Sequence, residues 1–481
     1  MLRLAGSRAR AHVSWKTLSY LLLSAAATAG IIITGKRIPA WSFMALLIVA
    51  AGAFFLMLRE ETKRPSLRAW IVFATVGVLM VLAVAIPPRT SNDVWAYSIY
   101  GRIVTAHNAS PYVQPPEAYP TDPYFRPAKR GYHNIRSVYG PVWTGLSAGV
   151  MEIADEQKTV ARVLFQSIAA LSVLGAVALL WRRTKDAAVM AFAGLNPIVA
   201  ASVVNGGHND ALVGLAALGG AYAAPAHPII AGLVLGAGAS IKVVGLLPLG
   251  AVALWAWYRR GVRHAIVLFG SGCAILVTGY LLAGGLEALR PLGRGSRLTV
   301  RHSFWFYPRQ WIAASLQATG LTRTRALDGA VHRIALMGTG LVLLVTLIVV
   351  LARFRRQRPE YLAGVSMAPY LFGAQYILPW YPGWALPSLA TSRKSMVAKV
   401  VAVQSILLFL VDPDRFFHIH GLWGSIVHTV QRYAIPLFEL VVIIGLIVAG
   451  IRQLISRGRK AARPETPAPP IADEATSAVR G

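Results

Sequence analysis

Long apolar runs separated by short basic segments are the dominant pattern along this chain. Roughly 17 to 25 apolar residues are enough to cross the hydrocarbon layer as an α-helix. The alternation typical of membrane β-barrel strands is absent. The pattern therefore predicts an all-α polytopic membrane protein with about 12–14 transmembrane helices. Its clearest candidate spans are 17–34, 41–58, 69–86, 159–181, 264–285, 329–352 and 433–452.

Two shorter stretches need a separate interpretation. The apolar run 142–154 is too short for a comfortable span and precedes Asp155 and Glu156, so we expect a helix at the outer interface. The stretch 228–258 predicts either one tilted helix or two short helices that meet near Lys242.

Composition and charge distribution indicate the class of protein and its orientation in the membrane. The 481 residues are 56% hydrophobic and carry a net charge of +29. The basic residues form short clusters between apolar runs instead of one soluble face, which indicates membrane orientation and argues against nucleic acid. We expect these clusters and both termini to be cytoplasmic. The single cysteine, Cys273, excludes an intrachain disulfide.

This orientation predicts the organisation of the chain. Residues 1–463 form one transmembrane domain with a long first outer loop, 87–141, that contains interfacial helices, and a second outer loop, 286–328. Short breaks at 205–209 and 379–383 also face outward. Residues 464–481 are rich in Pro, Ala and charge, which is typical of a disordered tail, here cytoplasmic.

Asp93 is the first candidate for chemistry. It lies in the polar turn that follows the apolar run 69–86, where a carboxylate is less well solvated than in water and responds strongly to a neighbouring cation or phosphate. The simpler alternative is a helix N-cap or a turn residue.

The rest of the first outer loop combines aromatic and basic residues. Aromatic rings stack on the apolar faces of sugars, and Arg binds phosphate bidentately. The alternative is an aromatic belt with ordinary surface charge. For the loop as a whole we favour a binding site, with the candidates Tyr97, Arg102, Tyr112 and Tyr139.

Polar residues also interrupt the later apolar runs. His208, Asn209 and Asp210 follow two glycines, so they are either functional or a helix stop with its cap. His208 and Asp210 alone do not define a metal site, and metal use stays open. Lys242 lies in an apolar stretch, where it either snorkels or meets an anion.

The second outer loop and a late aromatic segment complete the candidates. Residues 286–311 carry many arginines, among them Arg297 and Arg301, and almost no acid, which predicts an anionic partner or contact with acidic headgroups. The segment 375–384 is either an interfacial anchor or the wall of a groove for an isoprenoid chain, formed by Tyr376, Trp380, Tyr381 and Trp384.

The order of these motifs resembles a known enzyme class. Between residues 69 and 391 the chain contains, in order, Asp93-x-x-x-Tyr97, Gly101-Arg102, Asn108-x-x-Pro111-Tyr112, Tyr139-Gly140-Pro141-x-Trp143, Gly207-His208-Asn209-Asp210, Ser240-x-Lys242 and Pro379-Trp380-Tyr381. Together they resemble the GT-C class of integral membrane glycosyltransferases. Within that class they are most similar to actinobacterial polyprenyl-phosphate-mannose-dependent α-mannosyltransferases.

The resemblance implies an inverting transfer of mannose at the extracytoplasmic side of the plasma membrane. The donor would be a polyprenyl-phosphate sugar and the acceptor a glycan or glycolipid, as in lipomannan synthesis, with an α-1,6 linkage. Asp93 matches the family's catalytic carboxylate. Cationic stabilisation of the leaving phosphate then falls to Arg102, Lys242, Arg297 and Arg301, and His208, Asn209 and Asp210 would position sugar or phosphate.

Other functions fit part of the pattern. An arabinofuranosyl or another hexosyl transferase would use the same donor chemistry. A polytopic lipid or sugar transporter also has buried Lys and Asp residues, although the long first loop and the missing repeat argue against it. A structural membrane subunit would not depend on Asp93 for sugar transfer.

Overall fold

The computed structural model describes residues 13–295, 299–320, 325–354, 357–411 and 421–461, and this part of the chain contains helices and no β-strand. The helices that precede residue 200 are α1 Trp15–Thr34, α2 Ala40–Lys63, α3 Ala69–Ala85, α4 Asp93–Thr105, α5 Phe125–Ala128, α6 Arg130–His133, α7 Pro141–Ala154, α8 Lys158–Thr184 and α9 Ala187–Gly194.

The second half continues in the same way. Its α-helices are α10 Asp210–Ala223, α11 Pro228–Ile241, α12 Leu246–Arg260, α13 Val262–Leu282, α14 Leu292–Gly295, α15 Phe306–Ala318, α16 Arg325–Phe354, α17 Pro359–Ser366, α18 Ala368–Gly373, α19 Leu386–Leu389, α20 Met396–Val411, α21 Gly421–Thr429 and α22 Ile435–Ala461. Short 3₁₀ turns lie at Gly35–Arg37, Pro116–Ala118, Val243–Gly245, Gly285–Leu289, Tyr381–Trp384 and Ala390–Ser392, and π-helical turns at Val199–Val204 and Val430–Ala434.

Helix length and composition confirm an all-α polytopic membrane protein. Within the described ranges, six helical segments are long and apolar enough to span a bilayer, and four shorter apolar helices accompany them. The six are Trp15–Arg37, Ala40–Lys63, Lys158–Thr184, Val262–Leu282, Ala326–Arg353 and Gly421–Gln453. The total of 12–14 spans and the sidedness of the loops stay predictions.

The predicted element pattern agrees with these bounds. Each of the seven candidate spans is helical, and the short run 142–154 forms a separate helix, α7. The stretch 228–258 is two helices, α11 and α12, which meet at Lys242 in an extended conformation. Residues 464–481, the predicted tail, lie outside the described residues.

A buried hydrogen-bond network fixes the end of α3 beside the start of α8. The last carbonyl groups of a helix have no partner within it, and Pro87 and Pro88 prevent its continuation. The side-chain amide of Asn205 donates to the carbonyl oxygens of Ala83 and Ile86 at 3.1 and 3.0 Å, and the amide of Gln166 donates to the same two carbonyls at 2.9 and 3.0 Å. This network sets where the chain leaves α3 and enters the first outer loop.

Loss of the Asn205 amide should therefore destabilise the whole helix end. We expect Asn205→Ala to halve the donors at the Ala83 and Ile86 carbonyls, to leave the backbone N–H of Arg89 without its acceptor and to lower the free energy of unfolding by about 1–3 kcal/mol. The measurement is the thermal unfolding midpoint of the purified protein in detergent. Gln114→Ala, at an exposed position of the first outer loop, is the control and should leave the midpoint unchanged. Equal midpoints for Asn205→Ala and the wild type would contradict this role.

Candidate active site

Asp93 lies at the start of α4, buried to 5% exposure. Asn92 occupies the N-cap position, and the carboxylate of Asp93 points instead to two other side chains. The hydroxyl of Tyr132 donates to its Oδ1, and Nδ1 of His208 lies 3.3 Å from its Oδ2. The N-cap alternative for the Asp93 side chain is therefore wrong, because the side chain belongs to a cluster of distant residues.

The surroundings of Asp93 keep it ionised. Burial alone would raise its pKa, but the charge and the close contact of His208, the hydrogen bond from Tyr132 and the charge of Lys242 together lower it to about 2. A carboxylate with a depressed pKa is present as the anion above its ordinary range and is protonated only as the pH falls through the lowered value. Asp93 is thus an anion at neutral pH, ready to accept a proton or a hydrogen bond.

The backbone between α9 and α10 brings His208 to Asp93. The π-helical turn Val199–Val204 ends at Asn205, and Gly207 adopts a positive φ of 62° that favours glycine. A side chain on Gly207 would also collide with Val94 of α4. This close approach places the fully buried ring of His208 beside Asp93.

An aromatic ring fixes the orientation of His208. Its imidazole stacks on Trp380 with a centroid distance of 3.9 Å and an interplanar angle of 16°. Trp380 comes from the late aromatic segment, 172 positions further along the chain. The predicted groove residues and the predicted polar motif are therefore parts of one cluster.

Asp210 and Lys242 form a second buried pair next to this histidine. Nζ of Lys242 lies 2.8 Å from Oδ1 of Asp210, and the indole N–H of Trp384 donates to the same oxygen. The ammonium group of Lys242 also lies 4.5 Å from the centroid of the Tyr381 ring and 5.1 Å from that of Trp384. Lys242 thus has its charge balanced by one carboxylate and two aromatic faces.

The break between α11 and α12 gives Lys242 its position. Gly140 lies directly against the backbone of Ser240, where a side chain would not fit, and its N–H donates to the carbonyl of Ile241 at 3.0 Å. The Tyr139-Gly140-Pro141 motif of the first outer loop and the Ser240-x-Lys242 motif are therefore in direct contact.

Aromatic side chains of the first outer loop line the same region. The Tyr97 ring makes edge-to-face contacts at 5.0 Å with Tyr139 and with Trp143. The hydroxyl of Tyr112 bonds to Thr144 at 2.8 Å. Tyr376 lies close enough to Tyr132 and Tyr381 to influence their hydroxyls electrostatically. Tyr97 and Tyr112 are buried and Tyr139 is partly exposed, so these rings form the packed aromatic side of the cluster.

Asn209 is buried to 1% exposure, and its amide has unused hydrogen-bonding capacity. Neither its Oδ1 nor its Nδ2 has a partner among the described residues, and the same holds for Oδ2 of Asp210. Buried polar atoms in native proteins nearly always have partners. A polyhydroxylated ligand would satisfy both a donor and acceptors here.

Arg102 is placed differently from the prediction. Its guanidinium lies 2.8 Å from Asp122 and from Asp155, and 3.6 Å from Glu156. It is nine residues, or roughly 13 Å of helix, from Asp93. Three carboxylates neutralise its charge, so a phosphate would have to compete with them for Arg102, and its predicted role at the donor phosphate stays a prediction.

The second outer loop contributes less to the cluster. Arg301 is exposed, while its neighbour His302 is buried and contacts the carbonyl of Ile377 at 2.9 Å. Arg297 lies outside the described residues. Within the described ranges, no group of three or more His, Cys, Asp or Glu side chains is arranged to hold a metal ion.

Tyr132 is not among the residues predicted from the sequence, and Asn205 is recognised there only as the first residue of a polar motif. Tyr132 is one of several tyrosines in the first outer loop, and nothing local distinguishes the one that bonds Asp93. Asn205 belongs to the motif that ends at Asp210, and the polar residues of this motif mark an interruption between two apolar runs. Its helix-capping role depends on a contact with α3 that the sequence does not reveal.

A family model confirms the resemblance suggested by the motifs. The MptA_B family, described as alpha-(1->6)-mannopyranosyltransferase, N-terminal domain, matches residues 6–259, more than half of the chain. The chain therefore belongs to this family of α-mannosyltransferases. The matched range includes Asp93, His208 and Lys242 but not Trp380. No curated protein and no solved structure matched the chain.

The contact between His208 and Asp93 predicts a pH effect. His208→Phe keeps a ring against Trp380 but removes the nitrogen beside Asp93, so burial should raise the pKa of Asp93. Wild-type mannose transfer should not decline through Asp93 protonation until the pH approaches its lowered pKa. In His208→Phe the acid decline should begin at higher pH.

The measurement is the pH dependence of kcat/KM. The control is His227→Phe, at an exposed position that precedes α11, which should keep the wild-type profile. Superimposable acid limbs for His208→Phe and the wild type would show that His208 does not set the protonation of Asp93.

Proposed function

We propose that the protein transfers mannose from a polyprenyl-phosphate donor to a hydroxyl of a glycan or glycolipid, such as lipomannan. The new bond would be an α-1,6 linkage, in keeping with the family description. The observation that carries this proposal is the ionised, buried Asp93 held between His208 and Tyr132. The catalytic group lies where the bundle meets the first outer loop.

A lipid-linked donor suits the position of this carboxylate. Asp93 follows α3 by only a few residues, so a sugar on a membrane lipid reaches it without leaving the bilayer surface. The chain also lacks a glycine-rich loop of the kind that cradles nucleotide phosphates. The wall formed by Trp380, Tyr381 and Trp384 is close to the same cluster and suits an isoprenoid chain.

The transfer step requires one base and one good leaving group. The acceptor oxygen forms a bond to the anomeric carbon, while the bond from that carbon to the phosphate oxygen breaks and its electron pair stays on the phosphate. The acceptor's proton passes to the Asp93 carboxylate. A strongly ionised carboxylate is a weak base, so the proton moves late, when the attacking oxygen has become acidic.

The stereochemistry follows from this single displacement. Attack on the face opposite the phosphate inverts the anomeric centre, so a β-linked donor yields an α-linked product. Asn209 and Asp210 have polar atoms without a partner in the described part of the chain, and these atoms suit the sugar hydroxyls. Lys242 would orient the donor indirectly, because it holds Asp210 and the rings of Tyr381 and Trp384 in place.

The basic clusters support an extracytoplasmic site in the plasma membrane. Lys63 ends α2, Arg64 and Arg68 follow it, and Arg182 and Arg183 lie in the last turn of α8. Since such clusters are retained in the cytoplasm, the opposite ends of these helices, and with them Asp93, would face outward.

Replacement of the carboxylate tests the proposed base. Asp93→Asn should lower the rate of mannose transfer by about 10²–10⁴-fold, the usual contribution of general base catalysis. The assay uses purified protein, radiolabelled polyprenyl-phosphate mannose and a panel of mannooligosaccharide acceptors. Glu117→Gln, an exposed acid of the same loop, should retain wild-type activity.

Two results would contradict the proposal. Equal transfer by Asp93→Asn and the wild type would eliminate Asp93 as the base. Movement of intact lipid-linked sugar across liposomes, without formation of a glycosidic bond by the wild type, would favour a transporter.

A further inference from the structure

Five cations gather at the end of the bundle that holds Asp93, and none of them belongs to the candidates predicted from the sequence. Two lie in the turn between α1 and α2, one follows α3, one lies in the first outer loop and one near the start of α8. They are Lys36, Arg37, Arg89, Lys129 and Arg162. We call this set the outer basic cluster.

Packing contacts, a hydrogen bond and mutual electrostatic effects show that the members of the cluster lie near one another. A methyl group on Gly35 would lie 2.5 Å from Cβ of Arg89, so the α1–α2 turn packs directly against that arginine. The guanidinium of Arg162 donates to the carbonyl oxygen of Val84 at 3.0 Å, next to the end of α3. Arg89 is near enough to feel the charges of Arg37 and Arg162, and Lys36 those of Lys129 and Arg89.

Four members of the cluster lack an acidic partner among the described residues. Among the described residues, Arg37, Arg89, Lys129 and Arg162 form no ion pair with a carboxylate. Burial, together with the charges of Arg37 and Arg162, lowers the pKa of Arg89. An anion bound at this position would relieve the repulsion.

Arg89 is the centre of this arrangement. It is half-buried, and its Nε is shielded from solvent without a hydrogen-bond acceptor among the described residues. A buried donor without a partner is costly. The phosphate oxygens of a ligand are acceptors of the kind that a guanidinium binds best.

Arg89 is also within reach of the reacting groups. It precedes Asp93 by four residues, which span at most about 14 Å. Its backbone N–H donates to Oδ1 of Asn205 at 2.9 Å, and Asn205 precedes His208 by three residues. Arg89 and the Asp93 carboxylate therefore lie at the same end of the bundle, as a sugar phosphate that contacts both requires.

We propose that the outer basic cluster, centred on Arg89, binds the phosphate of the polyprenyl lipid. This inference rests on the proposed function and names the residues that hold its leaving group. The phosphodiester of the donor carries one negative charge, and the charge approaches two when the sugar departs. Cations at this position therefore stabilise the developing charge more than the ground state.

The cations predicted from the sequence are less suitable. Lys242 is paired with Asp210, and Arg102 is surrounded by acids. Arg301 is exposed in the second outer loop. Arg301 therefore serves in the experiment as the alternative binding position for the lipid phosphate.

The experiment measures binding and does not require turnover. Full-length protein in phosphatidylcholine nanodiscs is titrated with undecaprenyl phosphate, and the Kd is measured by thermophoresis. Arg89→Gln should weaken binding by about tenfold or more, as expected for a lost charged hydrogen bond. Arg89→Lys should recover part of this loss. Arg126→Gln, an exposed arginine of the same loop, should bind like the wild type.

A second variant covers the case in which Arg89→Gln does not fold. Arg37 is exposed at the α1–α2 turn, and Arg37→Gln should weaken binding in the same direction. Unchanged Kd values in Arg37→Gln and in folded Arg89→Gln would overturn the inference. A loss confined to Arg301→Gln would overturn it too.

Two further arms separate the possible causes of failure. If phosphatidylglycerol displaces undecaprenyl phosphate at equal headgroup concentration, the cluster binds acidic headgroups in general and the inference is wrong. If the wild type transfers mannose while the cluster variants keep their affinity, only this inference fails. If the wild type neither binds the lipid nor transfers mannose from it, the proposed function fails as well.

Discussion

The structure depends on keeping one buried carboxylate ionised at the end of a membrane helix bundle. Burial of Asp93 is unfavourable for its charge, and only the close approach of His208, Tyr132 and Lys242 offsets that penalty. Each of these residues comes from a different part of the chain. The surrounding fold must therefore be rigid enough to hold three distant side chains around one carboxylate.

The same residues that complete the fold also position the site. Asn205 satisfies the last carbonyl groups of α3, and three residues later the chain presents His208 to Asp93. Trp380, which lies 172 positions further along the sequence, stacks on the ring of His208. Stability and the geometry of the proposed site are coupled here, since a shift of the α3 end would move Asp93 away from its partners.

The sequence predicts the local features of this protein well and the distant pairings poorly. Hydrophobic periodicity depends on a residue's own neighbours, so the apolar helices and the separate helix α7 were predictable. The same signal left 228–258 open between one helix and two, and the structure shows two. Asp93 was detectable because a carboxylate a few residues after an apolar run is poorly solvated and therefore uncommon without a role. The partnership of Arg102 with Asp122 and Asp155, and that of Tyr132 with Asp93, join residues 20 to 53 positions apart. No periodic signal encodes such contacts.

The most direct measurement is an experimental structure of the protein with a non-hydrolysable polyprenyl-phosphate mannose analogue and an acceptor oligosaccharide. The account predicts that the acceptor hydroxyl lies within hydrogen-bond distance of the Asp93 carboxylate and faces the anomeric carbon on the side opposite the phosphate. A sugar bound elsewhere in the bundle, with Asp93 remote from both substrates, would contradict it.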